Sequence, residues 1–209
     1  MKIELERVAP MEIEARSFEI IESELPHPID PALAPIIKRV IHTSADFDYA
    51  NSLCFSENVV EQALAAIREG AVIVTDTTMA MSGINKKALA KHGGEVRCFI
   101  GDVDVAEAAR AKGTTRAVAS MEKAAAIDRP LIFAVGNAPT ALVRIYELIA
   151  EGRLKPRLVI GVPVGFVNVV QSKELIMTAH VPYIVARGRK GGSNVAAAIC
   201  NALLYMLGR

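Results

Sequence analysis

Residues 131–161 read LIFAVGNAPTALVRIYELIAEGRLKPRLVIG, and this stretch decides the fold class of the chain. The run Leu131–Val135 is continuously apolar, as is typical of a strand that is covered on both faces. Residues 138–150 then follow a helical pattern that Gly152 ends, and Leu158–Gly161 is a second apolar run. A strand, a helix and a strand in this order predict parallel strands joined by a right-handed crossover.

The same alternation extends over most of the chain. Three more apolar runs predict strands, at residues 71–75, 96–100 and Tyr183–Ala186. Further helices are predicted at residues 57–69 and, ahead of the first of these strands, at about residues 10–25 and 31–44. We therefore predict a three-layer α/β fold in which one parallel sheet carries helices on both faces. With 209 residues, the chain is predicted to form a single domain, residues 1–209.

The last predicted helix, residues 195–207, is apolar almost all round. Such a helix is either fully buried or shared with another subunit. Because a sheet protein of 209 residues has limited interior for one more helix, the prediction here is that a second subunit covers it.

The composition favours a cytoplasmic protein with a large apolar core. Hydrophobic residues make up 52% of the chain, and the net charge of +1 predicts neither nucleic-acid binding nor attachment to a membrane surface. No apolar run reaches the ~18 residues of a membrane span. The charged residues 1–6 lack the apolar centre of a secretion signal. Cys54, Cys98 and Cys200 form no CxxC pair, which indicates reduced thiols.

His42 ends the run Arg39-Val40-Ile41-His42 and lies off the apolar stripe of its predicted helix. At ~100° per residue, it falls opposite that stripe. The residues on that face are Leu33, Ile36, Ile37, Val40, Ile41 and Ser44. Late in a helix, the macrodipole favours a protonated imidazole. His42 is therefore either a solvated surface residue or a functional acid.

The segments that follow the predicted strands are rich in small, hydroxyl, amide and cationic residues. In an open parallel sheet, ligands bind beyond the carboxyl ends of the strands. Backbone N–H groups at Gly191-Gly192-Ser193, with Arg187 and Arg189 before them, suit carboxylates or phosphates, although a solvated turn is the alternative. Ser17 lies within the stripe of the first helix, where its hydroxyl either bonds to a backbone carbonyl or contacts a ligand.

Several common sites are absent from the sequence. It contains no GxxxxGK[ST], no GxGxxG after the first predicted strand and no GxSxG. The four histidines lack the spacing of a metal site, so no metal ligands are predicted.

The motifs that remain resemble those of the precorrin-8X methylmutases, a family of corrin-ring (vitamin B12) biosynthesis. The resemblance runs nearly end to end. It is carried by Arg16-Ser17-Phe18, Arg39-Val40-Ile41-His42, Asp76…Met79…Gly83, Gly113-Thr114-Thr115-Arg116, Gly136-Asn137-Ala138-Pro139-Thr140-Ala141, Pro163-Val164-Gly165-Phe166-Val167 and Arg187-Gly188-Arg189 with Gly191-Gly192-Ser193. Each motif is weak by itself, but their common order along the chain makes the resemblance strong.

The resemblance implies a flavodoxin-like fold and a homodimer that binds a corrin between its subunits. It also implies an isomerase that moves a methyl group from C-11 to C-12 by a 1,5-sigmatropic shift, converting (cobalt-)precorrin-8 to hydrogenobyrinate or cobyrinate. The family's catalytic histidine matches His42, and its substrate-contacting serine matches Ser17. A protonated imidazole near a ring nitrogen would act as general acid or hydrogen-bond donor.

A large flat ring with carboxylates at its edge needs aliphatic walls and cationic groups. The predicted walls are Met79, Met81, Ile84, Phe166 and Val167. The predicted substrate-binding residues are Arg16, Ser17, Asp76, Met79, Gly83, Arg116, Asn137, Arg187, Arg189, Gly192 and Ser193, with Lys190 as a further cation.

No separate cofactor is predicted, because the shift is intramolecular, and cobalt, where present, arrives inside the substrate. The family that the chain resembles includes enzymes for substrates with and without cobalt, so the sequence leaves both kinds of substrate possible. A noncatalytic corrin carrier on the same fold is one alternative, which equal affinity for substrate and product without turnover would favour. A flavodoxin-like domain that binds FMN is the other. The absence of Trp, and of a Ser/Thr-rich phosphate loop that directly opens a helix, disfavours it.

Overall fold

The computed structural model describes residues 6–208, so residues 1–5, on which most of the secretion-signal prediction rests, lie outside the described residues. The strands are β1 Leu53–Phe55, β2 Val72–Thr75, β3 Glu95–Arg97, β4 Leu131–Val135, β5 Leu158–Gly161 and β6 Tyr183–Ala186. The helices are α1 Ile13–Glu24, α2 Ala34–Ser44, α3 Tyr49–Ser52, α4 Val59–Arg68, α5 Thr78–Gly83, α6 Lys86–Ala90, α7 Val103–Ala111, α8 Arg116–Ala124, α9 Pro139–Ala150, α10 Val169–Met177 and α11 Ser193–Met206.

The strands form one six-stranded sheet in the order β1-β6-β5-β4-β2-β3. Strands β2 to β6 are parallel, which confirms the predicted architecture, and β1 adds an antiparallel edge in which Leu53 pairs with Ala186. The sequence prediction lacks β1, because three residues are too few for a periodic signal.

The prediction of a strand at residues 96–100 is wrong at its end, because the observed strand stops at Arg97. Phe99 and Ile100 are apolar because they pack against the core beside the sheet, outside any strand. The predicted long helices are confirmed, with ends that differ by at most three residues.

Alternate residues of each central strand enter different cores, so both faces of the sheet are covered. Ile132 and Ala134 of β4 belong to the core with α2, α4 and α11, whereas Leu131, Phe133 and Val135 belong to the core with α8 and α9. This double burial is why the strands are continuously apolar.

Helix α11 is buried within its own chain, and the prediction that a second subunit covers it is wrong. Its residues from Val195 to Cys200 and from Ala202 to Leu204 are at most 6% exposed. It packs against β4 and β5 and against α2, α4 and α5. The interior is larger than predicted, because α2 supplies a further layer over this helix.

The order of the strands reverses between β2 and β4. After β2 the chain adds β3 on one side, and β4, β5 and β6 then extend the sheet on the other. Such a reversal opens a crevice at the carboxyl ends of the two central strands, where open α/β sheets bind ligands. We call this crevice the switch point.

Residues 6–208 contain neither a membrane-spanning helix nor a metal-binding cluster. No helix there combines the length and apolarity that crossing a bilayer requires. No group of three or more His, Cys, Asp or Glu side chains in that range is placed to hold a metal ion.

Candidate active site

Asp76 ties together the loops that follow β2 and β4 at the switch point. Its Oδ1 accepts a hydrogen bond from the N–H of Gly136 at 2.9 Å, and its Oδ2 accepts from the N–H groups of Asn137 and Ala138, both at 2.7 Å. Burial raises the pKa of the Asp76 carboxyl, and these N–H groups oppose the increase. Because both oxygens bind the chain itself, Asp76 shapes the β4–α9 loop. Its direct contact with substrate stays a prediction.

The β6–α11 loop lies directly against the β4–α9 loop. A Cβ atom on Gly136 would lie 2.7 Å from Cα of Ser193 and 2.8 Å from the carbonyl carbon of Gly192, so the two backbones approach this closely only at a glycine. The hydroxyls of Ser193 and Thr77 are hydrogen-bonded at 2.7 Å. Predicted site residues from three strand ends therefore meet at the switch point.

His42 lies in the last turn of α2, opposite the buried stripe, and is exposed as predicted. The segment that follows α2 is bound to the β6–α11 loop. Nζ of Lys190 forms ion pairs with Oδ2 of Asp46 at 2.7 Å and with Oδ2 of Asp48 at 3.2 Å. These contacts hold the segment after α2 against the β6–α11 loop, residues 187–192, at the carboxyl edge of the sheet.

Phe18 of α1 contacts the imidazole of His42. The two rings pack edge to face, with centroids 5.6 Å apart and planes at 74°. Next to Phe18, the Ser17 hydroxyl donates a hydrogen bond to the carbonyl of Ile13 at 2.8 Å, the backbone alternative considered above. Because this bond uses the hydrogen of Ser17, the hydroxyl oxygen is left to accept a hydrogen bond from a ligand.

The two arginines of the β6–α11 loop are both exposed. Nε of Arg187 lies 3.2 Å from a carboxylate oxygen of Glu174. The guanidinium of Arg189 lies 5.4 Å from the ring centroid of Phe166, a cation–π contact. Neither arginine is buried in an ion pair, so both are available to substrate carboxylates.

The other two predicted arginines lie apart from this loop. Arg116 is the exposed first residue of α8, and the preceding Thr115 ties that helix start to α9 through a 3.2 Å contact with the hydroxyl of Thr140. Arg16 pairs with Glu6 at 2.7 Å and with Glu19 at 3.3 Å on the surface of α1. The hydrogen bonds that Arg16 donates to these carboxylates raise the pKa of its guanidinium.

Large apolar side chains are exposed at the carboxyl edge of the sheet. Met79 is 70% exposed, Phe166 80% and Val167 79%, so these side chains are open to a ligand, and their role as walls for an apolar ring stays a prediction. Ile84 is 3% exposed and belongs to the core, so its prediction as a wall is wrong. Met81 is half-buried.

Gly83 lies at the end of α5, where that helix packs against α11. A Cβ atom there would lie 2.9 Å from Cβ of Ala197, and the Gly83 carbonyl accepts a hydrogen bond from Nδ2 of Asn201 at 2.8 Å. Close helix packing thus explains this glycine, and its contact with substrate stays a prediction.

Three residues with a clear place at this edge were not predicted from the sequence. They are Phe18, whose ring contacts that of His42; Thr77, whose hydroxyl is hydrogen-bonded to that of Ser193; and Lys173 of α10, which is fully buried. A signal existed for Lys173, because it occupies the spacing of the buried stripe formed by Val169, Ser172 and Ile176.

Comparisons with known proteins agree over nearly the whole chain. The sequence profile of the precorrin-8X methylmutase family matches residues 12–206. The chain belongs to this family. It is 49% identical to the cobalt-precorrin-8 methylmutase of Salmonella typhimurium over 207 residues, covering 95% of this chain and 96% of that protein. The enzyme of the same name from Priestia megaterium is 48% identical over 197 residues, covering 94% and 88%.

A solved structure supports the same family. The precorrin-8X methylmutase of Thermus thermophilus superposes with a TM-score of 0.84 at 41% identity, covering 93% of this chain and 96% of the other. Family membership over this length favours the isomerase over the carrier and flavin-binding alternatives.

Proposed function

We propose that this chain catalyses the methyl shift from C-11 to C-12 of precorrin-8, with His42 as the general acid. The observation that carries the proposal is the exposed His42 in the last turn of α2, a helix whose following segment is ion-paired to the β6–α11 loop through Asp46 and Asp48. The resemblance implies a histidine acid acting on a ring with carboxylates at its edge, and the exposed residues His42, Arg187 and Arg189 offer one imidazole and two guanidinium groups for these roles.

The walls and charges of this edge match the chemistry of the ring. Met79, Phe166 and Val167 offer apolar surface to the macrocycle, while Arg187 and Arg189 bind carboxylates at its rim. The oxygen of Ser17 accepts a hydrogen bond from the substrate. Together these contacts bind the ring in one orientation relative to His42.

The shift breaks one carbon–carbon bond and forms another within the same molecule. It consumes no external oxidant or reductant, so we propose that no separate cofactor takes part. The chain's task is to bias the electronics of the ring. A proton or hydrogen bond from His42 at a ring nitrogen stabilises the conjugated product.

We propose that the substrate contains cobalt. The relatives from Salmonella typhimurium and Priestia megaterium, 49% and 48% identical, are named cobalt-precorrin-8 methylmutases, whereas those from Thermus thermophilus and Pseudomonas aeruginosa, named precorrin-8X methylmutases, are 41% and 36% identical. In this reaction cobalt is part of the substrate, held by the ring nitrogens. Side-by-side turnover of the two substrates would decide between them.

The direct test of function is conversion of isolated cobalt-precorrin-8 to cobyrinate, followed by absorption. We expect the spectrum of the product to develop over many turnovers, because the enzyme releases it. A carrier would bind substrate and product equally and leave the substrate unchanged at catalytic protein concentration. That result would remove the isomerase proposal.

We also propose a homodimer with the substrate site at or near the subunit interface. With α11 buried in its own chain, the support comes from α1 and the turn before it, where Met11 is 94%, Ile13 54% and Ile20 38% exposed. Light scattering at micromolar concentration should give twice the chain mass, and Ile13→Glu should lower it. A wild-type monomer would exclude a shared site.

The thiols fit our expectation of a cytoplasmic location. Cys54, Cys98 and Cys200 are all free. Burial raises the pKa of Cys200 to about 12, so this thiol is unreactive at neutral pH.

A further inference from the structure

Lys173 is a buried lysine that the proposed mechanism leaves without a role. It lies on α10 and is 0% exposed. Its Nζ donates hydrogen bonds to the carbonyls of Gly188 and Lys190, both at 2.8 Å. These two carbonyls flank Arg189. Burying an ammonium group costs free energy unless hydrogen bonds compensate the loss of water. The buried position of Lys173 and its two hydrogen bonds therefore call for a physical explanation.

Lys173 completes the attachment of the loop around Arg189. The carbonyl of Arg189 itself accepts a hydrogen bond from the N–H of Gly165 at 3.2 Å. Three successive carbonyls, from Gly188 to Lys190, are thus bound to groups of the chain. The backbone is held on both sides of Arg189, while its side chain stays exposed over Phe166.

We propose that Lys173 is a positioning residue that fixes the β6–α11 loop so that Arg189 meets a substrate carboxylate, and that its buried charge adds to the positive potential of this loop. The inference rests on the proposed function, since it assumes an anionic ring at this edge. A buried charge is screened little by salt, so it acts on the ring more strongly than a surface lysine would.

The two contributions of Lys173 can be separated by pH. Burial lowers its pKa to about 8, so the side chain is charged at pH 7 and neutral at pH 9.5. A neutral amine still carries two hydrogens for the two carbonyls, so deprotonation removes the charge and keeps the loop in place. The other ionisable side chains on α9, α10, β6 and this loop are Arg144, Tyr146, Glu147, Glu174, Tyr183, Arg187, Arg189 and Lys190.

The first experiment uses the free protein and measures amide hydrogen exchange in residues 187–193. In Lys173→Met we expect exchange at least ~10-fold faster, since two hydrogen bonds to a charged group are lost. Lys173→Gln, whose amide still donates, should lie between this variant and wild type. Lys155→Met removes an exposed lysine before β5, at the opposite edge of the sheet, and should leave the loop unchanged. Equal exchange in wild type and Lys173→Met would refute positioning.

The second experiment is a double-mutant cycle on the binding of cobyrinate at pH 7. We expect Lys173→Met and Arg189→Ala each to weaken binding about 10-fold, and the double variant to be little weaker than either one. Additive effects would show that Lys173 does not act through Arg189. If Lys173→Met does not fold, the cycle is run with Lys173→Gln.

The wild-type protein by itself tests whether the charge of Lys173 contributes to binding. The Kd for cobyrinate should rise several-fold between pH 7 and pH 9.5, while loop exchange, corrected for its intrinsic pH dependence, stays constant. A Kd that does not change over this range would refute the electrostatic contribution. If wild type binds no corrin at all, the proposed function fails, and the exchange experiment still decides whether Lys173 positions the loop.

Discussion

Replacing His42 with alanine is expected to lower turnover of cobalt-precorrin-8 by ~10²-fold or more, the usual effect of losing a general acid. The fold should survive, because His42 is exposed and lies opposite the stripe of α2 that packs into the core. Binding of cobyrinate should be largely retained, since the apolar walls and the arginines supply most of it. Steady-state kinetics and equilibrium binding on the same preparation separate the two effects.

The asparagine variant refines this test. His42→Asn keeps a hydrogen-bond donor and cannot transfer a proton, so we expect it to be as slow as His42→Ala. His180→Asn is the matched control, because His180 is also exposed but lies in the turn after α10 with a φ of 53° that asparagine tolerates. Its turnover should equal that of wild type.

The pH profile of the rate provides a second measurement. Wild-type turnover should depend on one titrating group that is missing from the residual rate of His42→Asn. Near-normal turnover in both His42 variants would refute acid catalysis by this residue. The enzyme would then act by confining the ring, and His42 would be a surface histidine.

Replacing Asp76 with alanine is expected to lower the free energy of unfolding by about 3 kcal/mol or more. The substitution leaves the buried N–H of Gly136 and the part-buried N–H groups of Asn137 and Ala138 without their acceptor; an unpaired buried donor costs roughly 1–3 kcal/mol, and the two part-buried donors add less each. The burial of Asp76 at 2% exposure means that water replaces the lost carboxylate poorly. Denaturant unfolding with a constant m-value measures the change.

Asp76→Asn should be milder. The amide oxygen of asparagine can still accept hydrogen bonds from the N–H groups of Asn137 and Ala138, as Oδ2 does now. The amide NH₂ would face the N–H of Gly136, so two donors would meet and that hydrogen bond would be lost. We expect a loss of about 2 kcal/mol, together with weaker corrin binding because the loop shifts. Asp104→Asn, at an exposed ion pair with Lys123, is the control and should leave the stability nearly unchanged. Equal stability of Asp76→Ala and wild type would show that the loop holds its shape without this carboxylate.

Local pattern predicted the layers of this fold and much of its site. Strands β4, β5 and β6 have the predicted bounds, because continuous apolar runs between helical segments occur when both faces of a sheet are covered. The exposure of His42 followed from its angle to the stripe of α2, which is a property of one helix. The sequence pattern placed the end of β3 wrongly, because Phe99 and Ile100 are apolar for packing against the core beside the sheet. It did not predict β1, because a strand of three residues is too short to show a period.

The sequence by itself therefore determined the helices, the central strands and the chemical groups that reach the carboxyl edge, because these depend on neighbours along the chain. Only the tertiary structure decided how those groups are held. The contacts that bind Asp76 to residues 136–138, Ser193 to Thr77 and Lys173 to the carbonyls around Arg189 join distant segments. The burial of α11 depends likewise on α2, an element about 150 residues earlier. The periodicity of a sequence does not identify such partners, because a buried helix has the same apolar pattern whether it packs against its own chain or against another subunit.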